Sequence, residues 1–96
     1  MVDLNLFKKT LKAEAISCYE NFKHSYDNSP FIAKDKIIDD LITFEIKQNL
    51  GKKALKAVLD NKTTKEQLEV LDHTINHYKK RTIKAALEYT KHSDQT

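Results

Sequence analysis

The side chains best suited to chemistry are two histidines in the last third of the chain. His73 and His77 are four residues apart, so on a helix both imidazoles project from the same side, with Glu69 one turn earlier. Histidine and carboxylate are ligands that zinc accepts. However, nearby lysines would place positive charge beside the cation, and the glutamate of the zinc-protease motif does not follow the first histidine. The pair is a weak metal candidate, and we expect no metal and no cofactor.

The same segment carries a line of basic residues that predicts an anion-binding face. They recur at helical spacings opposite an apolar stripe, with the arginine beside the line. The members are His73, His77, Lys80, Arg81, Lys84 and Lys91. Such a face suits phosphates, anionic lipid headgroups or an acidic protein. An ordinary solvated helix face, acidic at its start and basic at its end as the helix dipole favours, accounts for the same pattern.

A carboxylate inside an apolar segment is the other candidate for chemistry. Glu45 falls within the apolar arc of residues 31–50, so it must be paired, protonated or at the edge of the packing. A perturbed acid in a cleft can be catalytic, but no glycine-rich loop, nucleophile motif or second acid at fixed spacing accompanies this one. We therefore predict a structural partner, a lysine or the hydroxyl of Tyr78 or Tyr89, and no enzymatic activity.

The elements that position these groups are long helices. One glycine and one proline among 96 residues argue against a fold of many strands and tight turns. Apolar residues recur at spacings of three and four over residues 4–26 and 64–92, which predicts two amphipathic helices. Asp3 is the expected N-cap of the first helix. Thr63 and Glu66 have the capping-box spacing and predict the start of the last helix.

Between these helices, residues 30–50 carry apolar side chains around roughly two thirds of a helical circumference. This pattern predicts a helix that neighbours cover on two sides. Ser29 is its expected N-cap, and Gly51 can adopt the left-handed conformation that ends it. A short amphipathic helix over 52–60 follows. At about 1.5 Å per residue, the two pieces end to end match the last helix in length.

These lengths predict an all-α fold, a small antiparallel bundle of three long legs with the middle leg broken near Gly51. We expect a single domain over residues 1–96 with a frayed polar tail at about 93–96. Cys18 is the only cysteine, which excludes an intramolecular disulfide and favours a reducing, cytoplasmic location. No apolar run is long enough for a signal peptide or a transmembrane segment.

Three aliphatic residues outside the core stripes predict an interface. Ile83 and Leu87 lie four apart on the last helix, turned away from its stripe, and Ile16 is displaced from the stripe of the first helix. Scattered exposed aliphatic residues are also normal on monomers. If these residues do form an interface, the simplest is a twofold homodimer across the last helix.

Charge and composition favour a protein partner over nucleic acid. The 17 basic and 14 acidic residues give a formal net charge of +3, and every basic residue except Arg81 is lysine, whereas arginine is preferred for base and phosphate recognition. A helix-turn-helix over residues 53–71 fails at its turn, which lacks the glycine. We expect a non-enzymatic protein that acts by protein–protein interaction, as an inhibitor, immunity protein or adaptor. A regulator that binds nucleic acid weakly through the basic face is the alternative.

In size, lysine content and helical organisation, the chain resembles the small cytosolic immunity proteins that protect bacteriocin producers. It is also similar to small accessory proteins of phages and plasmids. The resemblance covers the whole chain but includes no specific motif. It implies a cytosolic helical bundle that binds a protein, and it assigns no residue.

Overall fold

Every regular element that the computed structural model describes, within residues 3–94, is helical. The elements are α1 (Leu4–Asp27), a 3₁₀ turn (Phe31–Ala33), α2 (Lys34–Asp40), a π-helical segment (Leu41–Gln48), α3 (Lys52–Val58) and α4 (Lys65–Asp94). The predicted all-α bundle of three legs with a bent middle leg is confirmed. The last helix continues to Asp94, two residues beyond its predicted end, and residues 95–96 of the predicted frayed tail lie outside the described residues.

The three legs share one hydrophobic core. α1 contacts α2, the π-helical segment, α3 and α4, and it contributes the largest group of hydrophobic core residues. The core consists of Phe7, Leu11, Ala15, Phe22, Tyr26, Leu41, Ile46, Leu50, Ala54, Val58, Leu71, Ile75 and Ala86. The molecule is a rod of 50 × 18 × 17 Å. Within residues 3–94, none of the helices has a stretch both long and apolar enough to span a bilayer.

The π-helical segment determines which residues of the middle leg face the core. Leu41 and Ile46 are both buried, although an α-helix would place residues five apart about 140° from each other. A π turn closes i→i+5 hydrogen bonds and holds roughly one residue more than an α turn, so these two side chains come to the same side. At the end of the segment, the Asn49 amide donates to the Phe44 carbonyl oxygen, five residues earlier, at 3.1 Å. Both α1 and α4 contact this segment, as predicted for a leg that neighbours cover on two sides.

The start of the middle leg also differs from its prediction. Ser29 does not cap it, because its hydroxyl donates to the carbonyl oxygen of Ser25, in the last turn of α1, at 2.6 Å. No side chain caps the 3₁₀ turn that follows. The predicted cap at the first helix is confirmed, since Asp3 Oδ1 accepts from the Leu6 amide at 3.0 Å.

The start of α4 lies one residue later than the predicted capping box. Thr64 and Gln67 form the reciprocal pair, each side-chain oxygen accepting from the other's amide at 3.1 and 3.0 Å. Thr63 is unavailable for this role because its hydroxyl accepts from the Asp60 amide at 3.0 Å in the preceding turn. A capping box is therefore present, as predicted, but it consists of Thr64 and Gln67 and not of Thr63 and Glu66.

Gly51 connects the π-helical segment to α3. Its φ of +99° lies in the left-handed region, as predicted for a residue that ends a helix. The backbone also approaches α4 closely at this point, because a Cβ on Gly51 would lie 2.9 Å from three side-chain atoms of Ile75. Both constraints favour glycine at this position.

The N-terminus of α3 is capped by a side chain from α1. Glu14 Oε2 accepts from the Gly51 amide at 2.8 Å, and Oε1 accepts from the Ala54 amide at 2.6 Å. These amides have no acceptor within the helix, and the positive end of the helix dipole favours a carboxylate there. Glu14 therefore fixes α3 against α1.

We expect Glu14→Gln to lower the free energy of unfolding by about 1–2 kcal/mol, because an amide has only one oxygen to offer the two N–H donors. Urea denaturation followed by circular dichroism measures the difference. Glu69→Gln, an exposed change on α4, is the matched control and should be nearly neutral. Equal stability of Glu14→Gln and the unchanged protein would show that this cap contributes nothing.

Candidate functional site

The outward side of α4 carries all the predicted basic residues. Each of the six is exposed, and together they define the basic face: His73, His77, Lys80, Arg81, Lys84 and Lys91. From first to last the face extends about 27 Å along the helix. The ion pair between Lys23 and Glu20 is the only one among residues 3–94. The cations of the basic face are therefore not neutralised by salt bridges within the described part of the chain.

Two cations of α4, Arg81 in the basic face and Lys79 next to it, each contact another group of the protein. Arg81 places Cζ 5.9 Å from the centre of the Tyr78 ring, a cation–π arrangement. Lys79 extends its Nζ to the carbonyl oxygen of Lys47 at 2.7 Å. That carbonyl lies at the end of the π-helical segment, where acceptors lack partners within the helix. Lys79 is thus a structural contact between two legs and not part of the basic face.

An aliphatic pair lies beside the lysines on α4. Leu87 is 39 % exposed, whereas Ile83 is partly buried and packs against the core. A surface depression of about 390 Å³ is lined by Lys80, Ile83, Lys84, Leu87, Glu88 and Lys91. We call Ile83, Leu87 and the three lysines the lysine-framed strip. Ile83 is less accessible than its helical position predicts, because the bundle covers part of it.

The third residue of the predicted interface lies on another surface. Ile16 lines a groove of about 410 Å³ between α1 and α4, together with Tyr78 and Arg81. Lys12 and Glu20 also border this groove, which gives it charges of both signs. The structure therefore divides the predicted set: Ile83 and Leu87 share one depression, and Ile16 belongs to a different one.

A further exposed surface was missed by the sequence pattern. Phe31 and Ile32, which the pattern assigns to the apolar arc of the middle leg, are 86 % and 90 % exposed. We call this adjacent pair the apolar tip. It lies in the 3₁₀ turn directly after Pro30, before the side chains of α2 begin to meet the core. The one signal in the sequence was the position of this pair directly after Pro30, in a first turn that has no preceding turn to pack against.

The histidine pair does not assemble a metal site in the described part of the chain. Within residues 3–94, no group of three or more histidine, cysteine, aspartate or glutamate side chains is placed to hold a metal ion. His73 and His77 are both exposed on the basic face. The ring of His77 meets Tyr78 edge to face, with ring centres 6.3 Å apart.

Glu45 lies at the edge of the packing, and the structural partner predicted for it is wrong, because among the described residues it forms neither an ion pair nor a hydrogen bond. It is exposed and borders two shallow depressions that Cys18 also lines. One of its predicted partners is engaged elsewhere, because the Tyr89 hydroxyl donates to Asp27 at 2.5 Å. That hydrogen bond raises the pKa of Tyr89 to about 12 and joins the ends of α1 and α4.

Cys18 should react slowly with thiol reagents. Burial, with a smaller contribution from the Glu45 carboxylate, raises the pKa of its thiol from 9.0 to about 11. At pH 8, the thiolate fraction in the folded chain should therefore be about 100-fold lower than in the unfolded chain. The absorbance change with a chromogenic disulfide reagent measures the rate. The same reaction in denaturant is the control. Equal rates for the folded and the denatured chain would contradict the burial of the Cys18 thiol.

Comparison of the chain with protein-family models, curated proteins and solved structures finds no match. No function is therefore transferred to it from a relative. The general resemblance to bacteriocin immunity proteins remains a prediction from size and organisation. The exposed surfaces that could contact a partner are the apolar tip, the basic face and the lysine-framed strip.

Proposed function

We propose that this chain is a non-enzymatic helical module that acts by binding another protein, as an inhibitor, immunity protein or adaptor. The observation that carries the proposal is the apolar tip, in which Phe31 and Ile32 are 86 % and 90 % exposed. Burying either side chain would be worth about 1.5–3 kcal/mol, and the bundle leaves both in water. Adjacent exposed apolar side chains of this size are typical of contact sites.

The apolar tip is attached to a well-packed end of the bundle. Lys34, one residue past the 3₁₀ turn, lies over the Tyr26 ring at 4.3 Å from its centre, and the hydrogen bond between Tyr89 and Asp27 joins two legs at the same end. The Ala33 amide also donates to the Pro30 carbonyl oxygen at 2.9 Å. A contact surface that is already ordered loses less entropy when a partner binds.

The experiment is affinity capture from a lysate of the native host, with and without nuclease. The test variant is Phe31→Ser/Ile32→Ser, and the matched control is Leu4→Ser/Leu6→Ser, which changes two exposed apolar residues at the start of α1. We expect one protein to be retained by the unchanged chain and the control, to survive nuclease, and to be lost with the test variant. Retention of the same protein by the test variant would show that the apolar tip is not the contact. Circular dichroism checks that both variants fold.

Binding of nucleic acid through the basic face is the second candidate, supported by six exposed basic side chains on one side of α4. Contacts made by lysine point charges predict weak binding without sequence preference, which falls as salt rises. Lys80→Gln/Lys84→Gln should then flatten the salt dependence of binding to duplex DNA in fluorescence anisotropy. Tight binding to one sequence that persists at high salt would place this candidate first.

A further inference from the structure

We propose that the lysine-framed strip on α4 is the docking site for an acidic amphipathic helix of a protein partner. This assignment rests on the proposed function, because it names the chemistry of a protein that the module would bind. Ile83 and Leu87 are four residues apart and therefore share one side of α4. Lys80, Lys84 and Lys91 lie along the outer side of this pair, around the depression of about 390 Å³.

The shape of the strip favours a helix with protruding apolar side chains. Ile83 is partly buried and Leu87 is 39 % exposed, so the aliphatic surface is recessed and flanked by longer side chains. A recess takes up a side chain that projects from a partner, as in packing of ridges into grooves between helices. A lipid surface instead requires apolar side chains that project outward from the protein.

The charge of the strip favours carboxylates around those apolar side chains. Three lysines border the depression against one carboxylate, Glu88, and none of these lysines is in a salt bridge among the described residues. An acidic partner would supply the missing negative charge and gain both specificity and association rate. Nucleic acid would satisfy the lysines but would leave Ile83 and Leu87 without an apolar contact.

The same charges disfavour a second copy of this chain, the predicted homodimer. In a twofold antiparallel contact that pairs Ile83 with the second copy's Leu87, Lys80 comes within one residue of the second copy's Lys91. Three lysines and one glutamate from each copy would then gather in one contact, where like charges oppose association.

The test uses a synthetic helical peptide with leucines four residues apart between glutamates, and its counterpart with lysine replacing every glutamate. Fluorescence anisotropy at several salt concentrations measures binding to the full chain. We expect the glutamate peptide to bind, more weakly as salt rises, and the lysine peptide not to bind. Leu87→Ser should weaken binding about tenfold or more through the lost apolar contact. Lys80→Gln/Lys84→Gln should weaken binding mainly at low salt.

Matched controls separate the strip from the rest of the surface. Val70→Ser, an exposed aliphatic residue elsewhere on α4, and Lys52→Gln/Lys53→Gln, two exposed lysines on α3, should leave peptide binding unchanged. Equal effects of test and control variants would overturn the assignment. Tighter binding of an oligothymidylate or of phosphatidylserine vesicles than of the glutamate peptide would also overturn it, as would dimerisation that Leu87→Ser abolishes.

The outcome is independent of the capture experiment on the apolar tip. Phe31→Ser/Ile32→Ser should not change peptide binding, because neither residue lines the depression. If the glutamate peptide fails to bind while capture still depends on the apolar tip, this docking site is wrong and the proposed function stands. If the peptide binds with the expected variant pattern, the docking site is supported whatever the capture experiment retains.

Discussion

Replacing Gly51 by alanine should lower the free energy of unfolding by about 2–5 kcal/mol. Two costs add at this position. The backbone φ of +99° costs a residue with a Cβ about 1–2 kcal/mol. The new Cβ would lie 2.9 Å from three side-chain atoms of Ile75, and forcing such a contact in a packed core costs about 1–3 kcal/mol.

Urea denaturation of Gly51→Ala, Ile75→Ala and the double variant separates the two costs. Ile75→Ala removes the crowding but not the backbone strain, so the double variant should be more stable than the sum of the single changes indicates. Strict additivity would show that the Cβ meets no resistance from Ile75. A loss below about 0.5 kcal/mol for Gly51→Ala would contradict the left-handed connection between the π-helical segment and α3.

Leu41→Ala should lower the free energy of unfolding by about 2–5 kcal/mol, because it removes a buried side chain and leaves a cavity. Phe44→Ala, three residues further along the π-helical segment, is the matched comparison. Phe44 is the larger side chain but is 49 % exposed, so its truncation should cost less than Leu41→Ala.

This pair of variants also tests the winding of the middle leg. In urea denaturation, a larger loss for Phe44→Ala than for Leu41→Ala would show that the segment turns its other side to the core. We expect far-ultraviolet circular dichroism of both variants to remain helical, because each change leaves the rest of the core in place. A spectrum dominated by strand for the unchanged chain would contradict the fold itself.

The apolar tip and the lysine-framed strip differ in the forces they offer a partner. The tip offers neutral apolar area, whose contribution to binding changes little with salt in the physiological range. The strip offers three positive charges around a small recess, which act on association rate and specificity and are screened by salt. The salt dependence of a captured partner's affinity therefore identifies which of the two surfaces it contacts.

The helices and much of the basic face were determined by the sequence alone. Residues spaced three and four apart lie on the same side of a helix, whatever the helix packs against. The stripe of α1 and the exposure of all six basic residues on α4 followed from this spacing. The left-handed Gly51 and the Asp3 cap were predictable for a similar reason, since their chemistry involves only residues within one turn.

The tertiary structure decided the features that depend on residues distant in the chain. Glu14 caps the start of α3 across 37 and 40 residues, and no local pattern marks a glutamate for that role. The apolar excess of residues 31–50 pointed to a helix covered on two sides. Both α1 and α4 contact this leg, but part of it is wound as a π-helix, which brings Leu41 and Ile46 to one side. Its first turn is a 3₁₀ turn that leaves Phe31 and Ile32 in water. The types of the side chains are set by the sequence, but which apolar side chains are buried depends on how the neighbouring helices pack.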